Sequence, residues 1–338
     1  MTIAPHARRR AGAGPELIVI VGATGTGKSD CALAVAERLA QSDRSAEVVN
    51  ADAMQLYRGM NIGTAKLSLN ERHGIPHHLL DVLDVTEGAS VAWYQPRARA
   101  EIDEIVARGA TPILVGGSGL YVSSVIFDFA FPPRDPVVRA RLERELDDLG
   151  PGGLHARLLE VAPQTAARVD AANGRRIVRA LEVFELSAAG HGGTLPERPV
   201  LWRSSRIIGL HTPRDVLTAR LDARVEAMWA HGMLDEVAGL MQNGIERGTT
   251  ARSAIGYAQA LAQLHGTLTQ AAAIEQTQQL TRRYARRQVS WFKRYLDLTW
   301  FNSGAPQLTD SVMNAVIAQP IELHNGDHAP LHQGPRHR

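Results

Sequence analysis

Eight consecutive residues near the start of the chain have the types and spacing needed to bind a polyphosphate. They match the pattern G-x-x-x-x-G-K-[ST], and they are Gly22, Ala23, Thr24, Gly25, Thr26, Gly27, Lys28 and Ser29. Glycines let the backbone turn its N–H groups toward an anion, the lysine adds a cation, and the serine hydroxyl can bind Mg²⁺. A tight turn without a ligand would need neither the lysine nor the serine. We therefore predict a phosphate-binding loop, and the pattern leaves open whether the phosphates belong to a nucleotide or to another compound.

A carboxylate is predicted to face the same site. The apolar segment 47–52 predicts a short strand that ends on Asp52. Parallel α/β sheets bind ligands beyond the carboxyl ends of their strands, so we expect Asp52 in the crevice that the phosphate loop borders. On position alone, an ordinary turn or N-cap aspartate explains this residue equally well.

Two groups of basic residues could bind a nucleic acid. Residues 281–294 hold six cations and no acid, interleaved with aromatic rings, which is typical of a nucleic-acid surface. The second group begins a helix predicted over 174–186, where a helix N-terminus could bind phosphates. It consists of Arg175, Arg176 and Arg179. For this second group, a solvated face paired with Glu182 and Glu185 remains an open alternative.

The elements that must position these residues alternate along the chain. Apolar runs predict strands at 17–21, 47–52, 77–85, 111–121 and 206–211, with helices at 28–40 and 90–108. This order predicts an α/β fold: a P-loop NTPase-like parallel sheet core with an inserted helical subdomain and C-terminal helices. The pair His77-His78 does not predict a metal site, because adjacent residues of a strand point to opposite faces. We expect structural histidines there.

Changes in composition predict the domain boundaries. Charged helical sequence begins at 132, and a chain rich in Gly, Pro and His follows residue 302. The predicted parts are a disordered tail (1–14), the first part of the core (15–131), the inserted helical subdomain (132–200), a returning strand with C-terminal helices that complete the core (201–301), and a flexible tail (302–338).

Composition limits the classes of protein to consider. The chain has 338 residues, 44% of them hydrophobic, which is enough for a sizeable core. Its single cysteine, Cys31, excludes an intrachain disulfide framework and indicates a reduced, cytoplasmic setting. No apolar stretch approaches the roughly 20 residues that a membrane span requires. The strand from 111 lacks an acid at its end, which weakens an ATPase interpretation.

Seven stretches together resemble the tRNA dimethylallyltransferase family. They are GATGTGKS (22–29), NADAMQLYRGMNIGTAK (50–66), PHHLLDVLD (76–84), LVGGSGLY (114–121), RRIVRALEV (175–183), SAIGYAQ (253–259) and TRRYARRQVSWFK (281–293). The second is more specific than the phosphate loop, which many kinases share. Five residues differ from the family's usual ones, and none of these differences removes a group that the chemistry requires: Ala23, Ala53, Ser118, Arg175 and Ala258.

The resemblance implies an activity. The family transfers a dimethylallyl group from its diphosphate to N6 of the adenosine on the 3′ side of the anticodon in tRNA, and it releases pyrophosphate. The resemblance thus implies that Asp52 accepts the proton of the amine and that Ser118 orients the reacting groups. The loop, Arg224 and Mg²⁺ held by Ser29 would bind the diphosphate. The expected partners are tRNA and dimethylallyl diphosphate, with no membrane, and the expected state is a monomer.

The resemblance also implies a set of tRNA-binding residues. They lie beside the base, in the inserted subdomain and in the basic helix: Asp52, Ala53, Met54, Gln55, Ser118, Arg139, Arg175, Arg176, Arg179, Arg282, Arg286, Arg287 and Lys293. The target base must leave its stack to be reached, at a cost of a few kcal/mol that arginine contacts to the RNA backbone would offset.

Three alternatives remain open from the sequence. A transferase acting on free adenine nucleotides shares the loop and the base, but a mononucleotide needs neither the inserted helices nor the basic helix. A P-loop nucleotide kinase would turn over ATP, and the sequence shows no strand-terminal acid for a second Mg²⁺ contact. A non-catalytic RNA-binding module would leave Asp52 and the phosphate loop without a role.

Overall fold

The structure is a computed structural model that describes residues 16–129, 131–132, 134–186, 200–295 and 297–317. The predicted disordered tail 1–14 and residues 318–338 lie outside these ranges. The described chain divides into two compact units, of which one is Phe127–Val200 and the other consists of the chain before and after it. Within the described ranges, no helix is both long and apolar enough to cross a membrane.

The larger unit is built on six strands. They are β1 (Leu17–Gly22), β2 (Ala46–Asn50), β3 (His77–His78), β4 (Thr111–Gly116), β5 (Ser205–His211) and β6 (Leu298–Asn302). They form one sheet in the order β3-β2-β4-β1-β5-β6, and every neighbouring pair is parallel. β1 is buried along its whole length because strands lie on both sides and helices cover the sheet. The predicted α/β sheet core is confirmed.

Helices cover both faces of this sheet. Those of the larger unit are α1 (Lys28–Ala40), α2 (Val91–Ala107), α3 (Gly119–Ile126), α7 (Arg214–Ala230), α8 (Met233–Gln242), α9 (Tyr257–Leu264), α10 (Gln270–Phe292) and α11 (Leu308–Ile317); those of the smaller unit are α4 (Pro136–Val161), α5 (Pro163–Ala166) and α6 (Gly174–Leu186). One apolar core lies between the sheet, α1 and α11, and it includes Ile18, Ile20 and Val35. α2, α3 and α10 contact the sheet strands as well.

The flexible tail predicted from residue 302 is wrong for its first part. α11 lies within 302–317, and its Val312, Met313 and Val316 are buried in the core beside α1. The spacing of these apolar residues is helical, but the Gly-, Pro- and His-rich sequence around them obscured the pattern.

The strand predicted over 77–85 is also shorter than expected. β3 ends at His78, because Leu79 and Asp81 have φ of 59° and 56°, which no strand accommodates. Two contacts hold this bend: Asn50 Nδ2 donates to the Leu79 carbonyl (2.9 Å), and Lys66 Nζ donates to Asp81 Oδ1 (2.6 Å).

The histidine pair is structural, as the sequence indicated. His78 lies between the carboxylates of Glu47 and Glu101, at 2.6 Å and 3.0 Å. Glu47 also accepts two hydrogen bonds from Arg108, both 2.7 Å long. The hydrogen bonds from Arg108 hold the pKa of Glu47 near 2, well below its ordinary value. This cluster ties β2 and β3 to the C-terminal end of α2.

The smaller unit is helical. α4 is kinked at Gly150, whose φ of 68° is outside the helical region. Its apolar side chains pack against those of α6 and form a core of their own around Leu142, Leu158 and Leu181. The separate core explains why this segment is a compact unit.

Candidate active site

The phosphate-binding loop connects β1 to α1, as the sequence predicted. Gly25 and Gly27 have φ of 79° and 75°, a region that favours glycine. A side chain at Gly25 would also meet Leu221 Cδ2 of α7 at 2.8 Å. The Thr26 hydroxyl donates to the Ala23 carbonyl (2.8 Å) and is buried, so it stabilises the loop from within.

Lys28 places a cation inside this loop. Its Nζ donates to the Ala23 carbonyl at 2.7 Å. Burial lowers the pKa of Lys28 to about 8; the Asp52 carboxylate opposes this shift and the Arg224 guanidinium adds to it. A bound anion would relieve this loss of solvation, so the loop is suited to a polyphosphate.

A cavity of about 880 Å³ opens at this loop. Its walls include residues 24–29, Asp52, Gln55 and Arg224, which the sequence had selected. The other described lining residues are Asp30, Cys31, Ala34, Asn50, Thr64, Ala65, Leu67, Val115, Gly116, Arg220, Ser303, Leu308 and Thr309. The phosphate-binding loop, which we call the cradle, and Asp52, the predicted proton acceptor, therefore line one cavity.

Asp52 follows β2 and is held by its neighbours. Asn50 Oδ1 accepts from the Asp52 N–H (2.9 Å), and Asp52 Oδ1 accepts from the Met54 N–H (2.9 Å). The Tyr94 hydroxyl in turn donates to the Asn50 carbonyl at 2.7 Å. These bonds fix the orientation of the Asp52 carboxylate, and Asp52 lines the cavity.

Ser118 lies in the turn between β4 and α3. Its Oγ accepts from the Ala53 N–H at 3.2 Å, and its hydroxyl hydrogen-bonds with Tyr284. Burial, with the Asp52 carboxylate as the next cause, raises the pKa of Tyr284 to about 12, so the phenol stays protonated. Ser118 thus stabilises the segment that carries Asp52.

Two arginines of α7 extend the positive charge of the cradle. Arg224 Nη1 lies 3.5 Å from the Thr24 hydroxyl, and Arg220 Nη1 donates to the Gly25 carbonyl at 2.9 Å. Burial lowers the pKa of Arg224, while the Asp52 carboxylate opposes that shift. Arg224 was predicted from the sequence and Arg220 was not. Arg220 lies one helical turn before Arg224, and this spacing is the signal that could have identified Arg220.

Gln288 was also missed. It lies in the basic stretch of α10 but is buried, with 4% of its surface exposed. Its carboxamide oxygen accepts from the Thr24 N–H, and its nitrogen donates to the Gly117 carbonyl, each at 2.8 Å. No local pattern identifies this role, because the two partners are distant in the sequence.

The tRNA-binding residues predicted in α10 differ in their surroundings. Arg282 pairs with Asp222 of α7, whereas Arg286, Arg287 and Lys293 are exposed. The Arg287 guanidinium lies 5.8 Å from the ring centre of Tyr284. Gln55, another predicted contact, donates from Nε2 to the Thr64 carbonyl at 3.1 Å, and this bond stabilises the cavity wall.

In the smaller unit, the predicted RNA-binding arginines divide into two pairs. Arg139 and Arg179 both pair with the buried carboxylate of Glu182, at 3.4 Å and 2.7 Å. Arg175 and Arg176 at the start of α6 are exposed. The sequence left open whether the arginines of α6 bind RNA or pair with Glu182 and Glu185, and of these arginines Arg179 pairs with Glu182.

Ser29 is the residue of the cavity that the sequence predicted as a Mg²⁺ ligand. Among the residues that the structure describes, no group of three or more His, Cys, Asp or Glu side chains could hold a metal ion. Ser29 lines the cavity at the first turn of α1. Mg²⁺ in phosphate sites keeps waters and substrate oxygens and needs one or two protein ligands, so a hydroxyl beside the loop fits that ion.

Comparison with known proteins identifies relatives over most of the chain. Residues 55–295 match the family model described as IPP transferase. A tRNA dimethylallyltransferase of Clavibacter sepedonicus is 56% identical over 306 residues, which cover 89% of this chain and 98% of the relative. One of Leifsonia xyli subsp. xyli is 62% identical over 260 residues, covering 77% and 99%.

Solved structures give the same result. The full-length tRNA isopentenylpyrophosphate transferase of Bacillus halodurans aligns with a TM-score of 0.64 and 36% identity, covering 89% of this chain and 96% of its own. A eukaryotic dimethylallyltransferase acting on tRNA aligns with a TM-score of 0.71 and 26% identity, covering 89% and 77%.

Proposed function

This chain belongs to the IPP transferase family, and from that premise we propose that it is a tRNA dimethylallyltransferase. It transfers a dimethylallyl group from dimethylallyl diphosphate to N6 of the adenosine on the 3′ side of the anticodon, forming N6-isopentenyladenosine and pyrophosphate. The observation that carries the proposal is that Lys28 and Asp52 line the same cavity. A cation for the leaving group and a base for the amine are the two groups that this reaction needs.

The leaving group is stabilised by the cradle. As the C1–O bond of the substrate breaks, its electron pair goes to the pyrophosphate, which gains negative charge. Lys28 and Arg224 line the cavity at the phosphate-binding loop, so both cations lie close to that charge and stabilise it in the transition state. Arg220 adds a third side-chain cation at the cavity wall.

Asp52 accepts the proton of the amine. The exocyclic amine of adenine is a weak nucleophile, and a base that removes its proton as the N6–C1 bond forms contributes about 10²- to 10⁴-fold in rate. One Asp52 oxygen is held by the Met54 N–H. The same bond orients the carboxylate, and Ser118 supports the adjacent backbone through Ala53.

Mg²⁺ fits this site together with the diphosphate. The Ser29 hydroxyl would hold it, with oxygens of the substrate and water as the remaining ligands. When bound, the ion neutralises part of the charge that collects on the departing pyrophosphate.

The isoprenoid tail extends from the diphosphate toward a smaller recess beside the main cavity. The two share Ser29, Asn50, Gln55, Leu67 and Val115, and the recess is completed by Ala32, Val48, His77 and Leu80. The recess has a volume of about 30 Å³ and five of its nine lining side chains are apolar, so it suits a terminal methyl group of the tail, while the other carbons lie in the main cavity.

The RNA partner is bound by exposed basic residues. Arg286, Arg287 and Lys293 on the larger unit, with Arg175 and Arg176 on the smaller one, would contact its phosphates. Arg139 and Arg179 would have to leave Glu182 to do the same. Met54 and Gln55, which follow Asp52 in the chain, would contact the target adenine once it has left its stack. The phosphate-binding loop and Asp52 come from one chain, which supports our proposal that the enzyme acts as a monomer, and we propose that it does so in the cytoplasm.

The test is an incubation with dimethylallyl diphosphate, Mg²⁺ and either unmodified tRNA or AMP. We expect tRNA alone to gain the mass of one dimethylallyl group. Transfer to AMP instead would favour the transferase of free nucleotides. Absence of transfer to either, with turnover of ATP, would favour the kinase.

A further inference from the structure

Helix α10 has two chemically different faces. Tyr284, Gln288 and Trp291 follow one another at helical spacing and point into the larger unit. Arg286 is exposed on the opposite face, and Arg287 is exposed at the boundary between the two faces, beside the ring of Tyr284. One rigid helix therefore carries both a cationic surface and a set of side chains that contact the active site.

The inner face contacts the site through Gln288. Its carboxamide makes one hydrogen bond to the phosphate loop, at the Thr24 N–H, and one to the turn after β4, at the Gly117 carbonyl, each 2.8 Å long. The side chain packs so closely on Gly117 that a Cβ there would have no room. A shift of α10 by a fraction of an ångström would therefore strain both bonds.

The residues on either side of Gln288 strengthen this link. Tyr284 hydrogen-bonds with Ser118, and Trp291 Nε1 donates to Ser123 Oγ at 3.1 Å. The indole of Trp291 also covers Gly119 and leaves no room for a side chain. The turn at residues 117–118 and the first part of α3 are thus fixed to α10, and Ser118 of this turn supports Ala53 beside Asp52.

We propose that Gln288 is a positioning residue that couples tRNA binding on α10 to diphosphate binding in the phosphate loop. The inference rests on the proposed function. RNA that binds the exposed arginines holds α10 in one position, and the carboxamide transmits that position to the loop backbone. Coupling of this kind is reciprocal, so the diphosphate must strengthen tRNA binding by the same factor.

The experiment measures this coupling factor directly. Pyrophosphate is titrated into the full chain with and without an unmodified tRNA, and the tRNA is titrated with and without pyrophosphate. For the unaltered chain we expect each ligand to tighten the other by about 5-fold or more. In Gln288→Met, which keeps the length but loses both hydrogen bonds, we expect a factor near 1.

A matched control and a second variant complete the test. Gln279 is exposed on the same helix and its side chain bonds to Glu275, so Gln279→Met should keep the coupling factor. If Gln288→Met fails to fold, Gln288→Glu, which retains an acceptor for Thr24 and loses the donor to Gly117, should reduce the factor. An equal factor in the unaltered chain and the folded Gln288 variant, or a factor of 1 in the unaltered chain, would overturn the inference. Failure of the proposed function is seen separately, as absence of prenyl transfer by the unaltered chain.

Discussion

Asp52 is the residue whose chemistry can be tested most directly. Changing Asp52 to Asn retains an oxygen for the Met54 N–H but removes the base. We expect tRNA affinity to change little and turnover at saturating substrates to fall by about 10²- to 10⁴-fold. Single-turnover transfer and tRNA titration of the same preparation measure the two quantities. Normal turnover by this variant would exclude Asp52 as the proton acceptor.

Lys28 predicts a pH dependence of diphosphate binding. Its pKa of about 8 in the free protein is low because the ammonium is desolvated. A bound diphosphate favours the ammonium and raises that pKa, so binding takes up a proton near pH 8, and affinity falls as the pH rises above it. Calorimetric titration of pyrophosphate in two buffers with different ionisation enthalpies measures this uptake.

The control for this effect is Lys28→Met. It gives the pH dependence that comes from pyrophosphate itself, together with weaker binding at all pH values. Equal proton uptake by the variant and the unaltered chain would contradict the role of Lys28.

Leu80 tests the position of the isoprenoid tail. It is half-buried and lines the recess, so Leu80→Trp should fill that space. We expect the KM for dimethylallyl diphosphate to rise about tenfold or more, because excluding one apolar group of the tail from its pocket costs about 1–3 kcal/mol. The Kd for pyrophosphate, which has no tail, should stay within about twofold. Equal changes for both ligands would place the tail elsewhere.

At the scale of single residues, how far the sequence predicts the site depends on chain distance. The phosphate loop was predictable because each of its residue types is required by the local backbone. Asp52 was ambiguous until the structure placed it with Lys28 in one cavity. Gln288 was not predictable, since its partner Thr24 is near the other end of the larger unit's sequence.

At the scale of a secondary-structure element, the prediction concerns the exposed arginines of helix α10. Changing Arg286 and Arg287 to Ala removes two exposed cations, so tRNA should bind more weakly and the slope of log K against log salt should become shallower by about 1 to 2. Filter binding at several salt concentrations measures the slope. Arg282→Ala is the comparison, because the Arg282 side chain already pairs with Asp222 and should alter the slope less. An unchanged slope in the double variant would show that Arg286 and Arg287 are solvated and do not contact the RNA phosphates.

The elements themselves were largely predictable, and the exceptions have physical reasons. Periodicity identified β1, β2, β4 and β5 and the first helices, because their burial follows from their order in a parallel sheet. β6, which is only partly buried at the edge of the sheet, was not predicted. The length of β3 was wrong because Lys66 and Asn50 impose a bend that local sequence does not encode. Arg179 could not be assigned from spacing alone, since spacing does not show that Glu182 is buried and pairs with it.

The stability of the whole molecule depends on α11, a segment that the sequence predicted to be a flexible tail. Truncation after Asn302 removes Val312, Met313 and Val316 from the core, each worth about 1.5–3 kcal/mol. That sum is comparable with the 5–15 kcal/mol that stabilises a typical domain. We expect the truncated chain to unfold at a much lower temperature or to aggregate, while truncation after Ile317 keeps the helix. Thermal unfolding followed by circular dichroism measures both; equal midpoints would show that α11 is dispensable.

The parallel pairing of β1 with β5 has a consequence for synthesis. Leu17 pairs with Ser205 and Gly22 with Leu210, so the strand that borders the phosphate loop is translated long after the loop itself. The arginines of α7 and the carboxamide of α10 follow later still. An unfinished polypeptide on the ribosome therefore has the loop without the neighbours that shape it. We expect such a polypeptide not to bind dimethylallyl diphosphate until the last third of the protein has emerged from the ribosome.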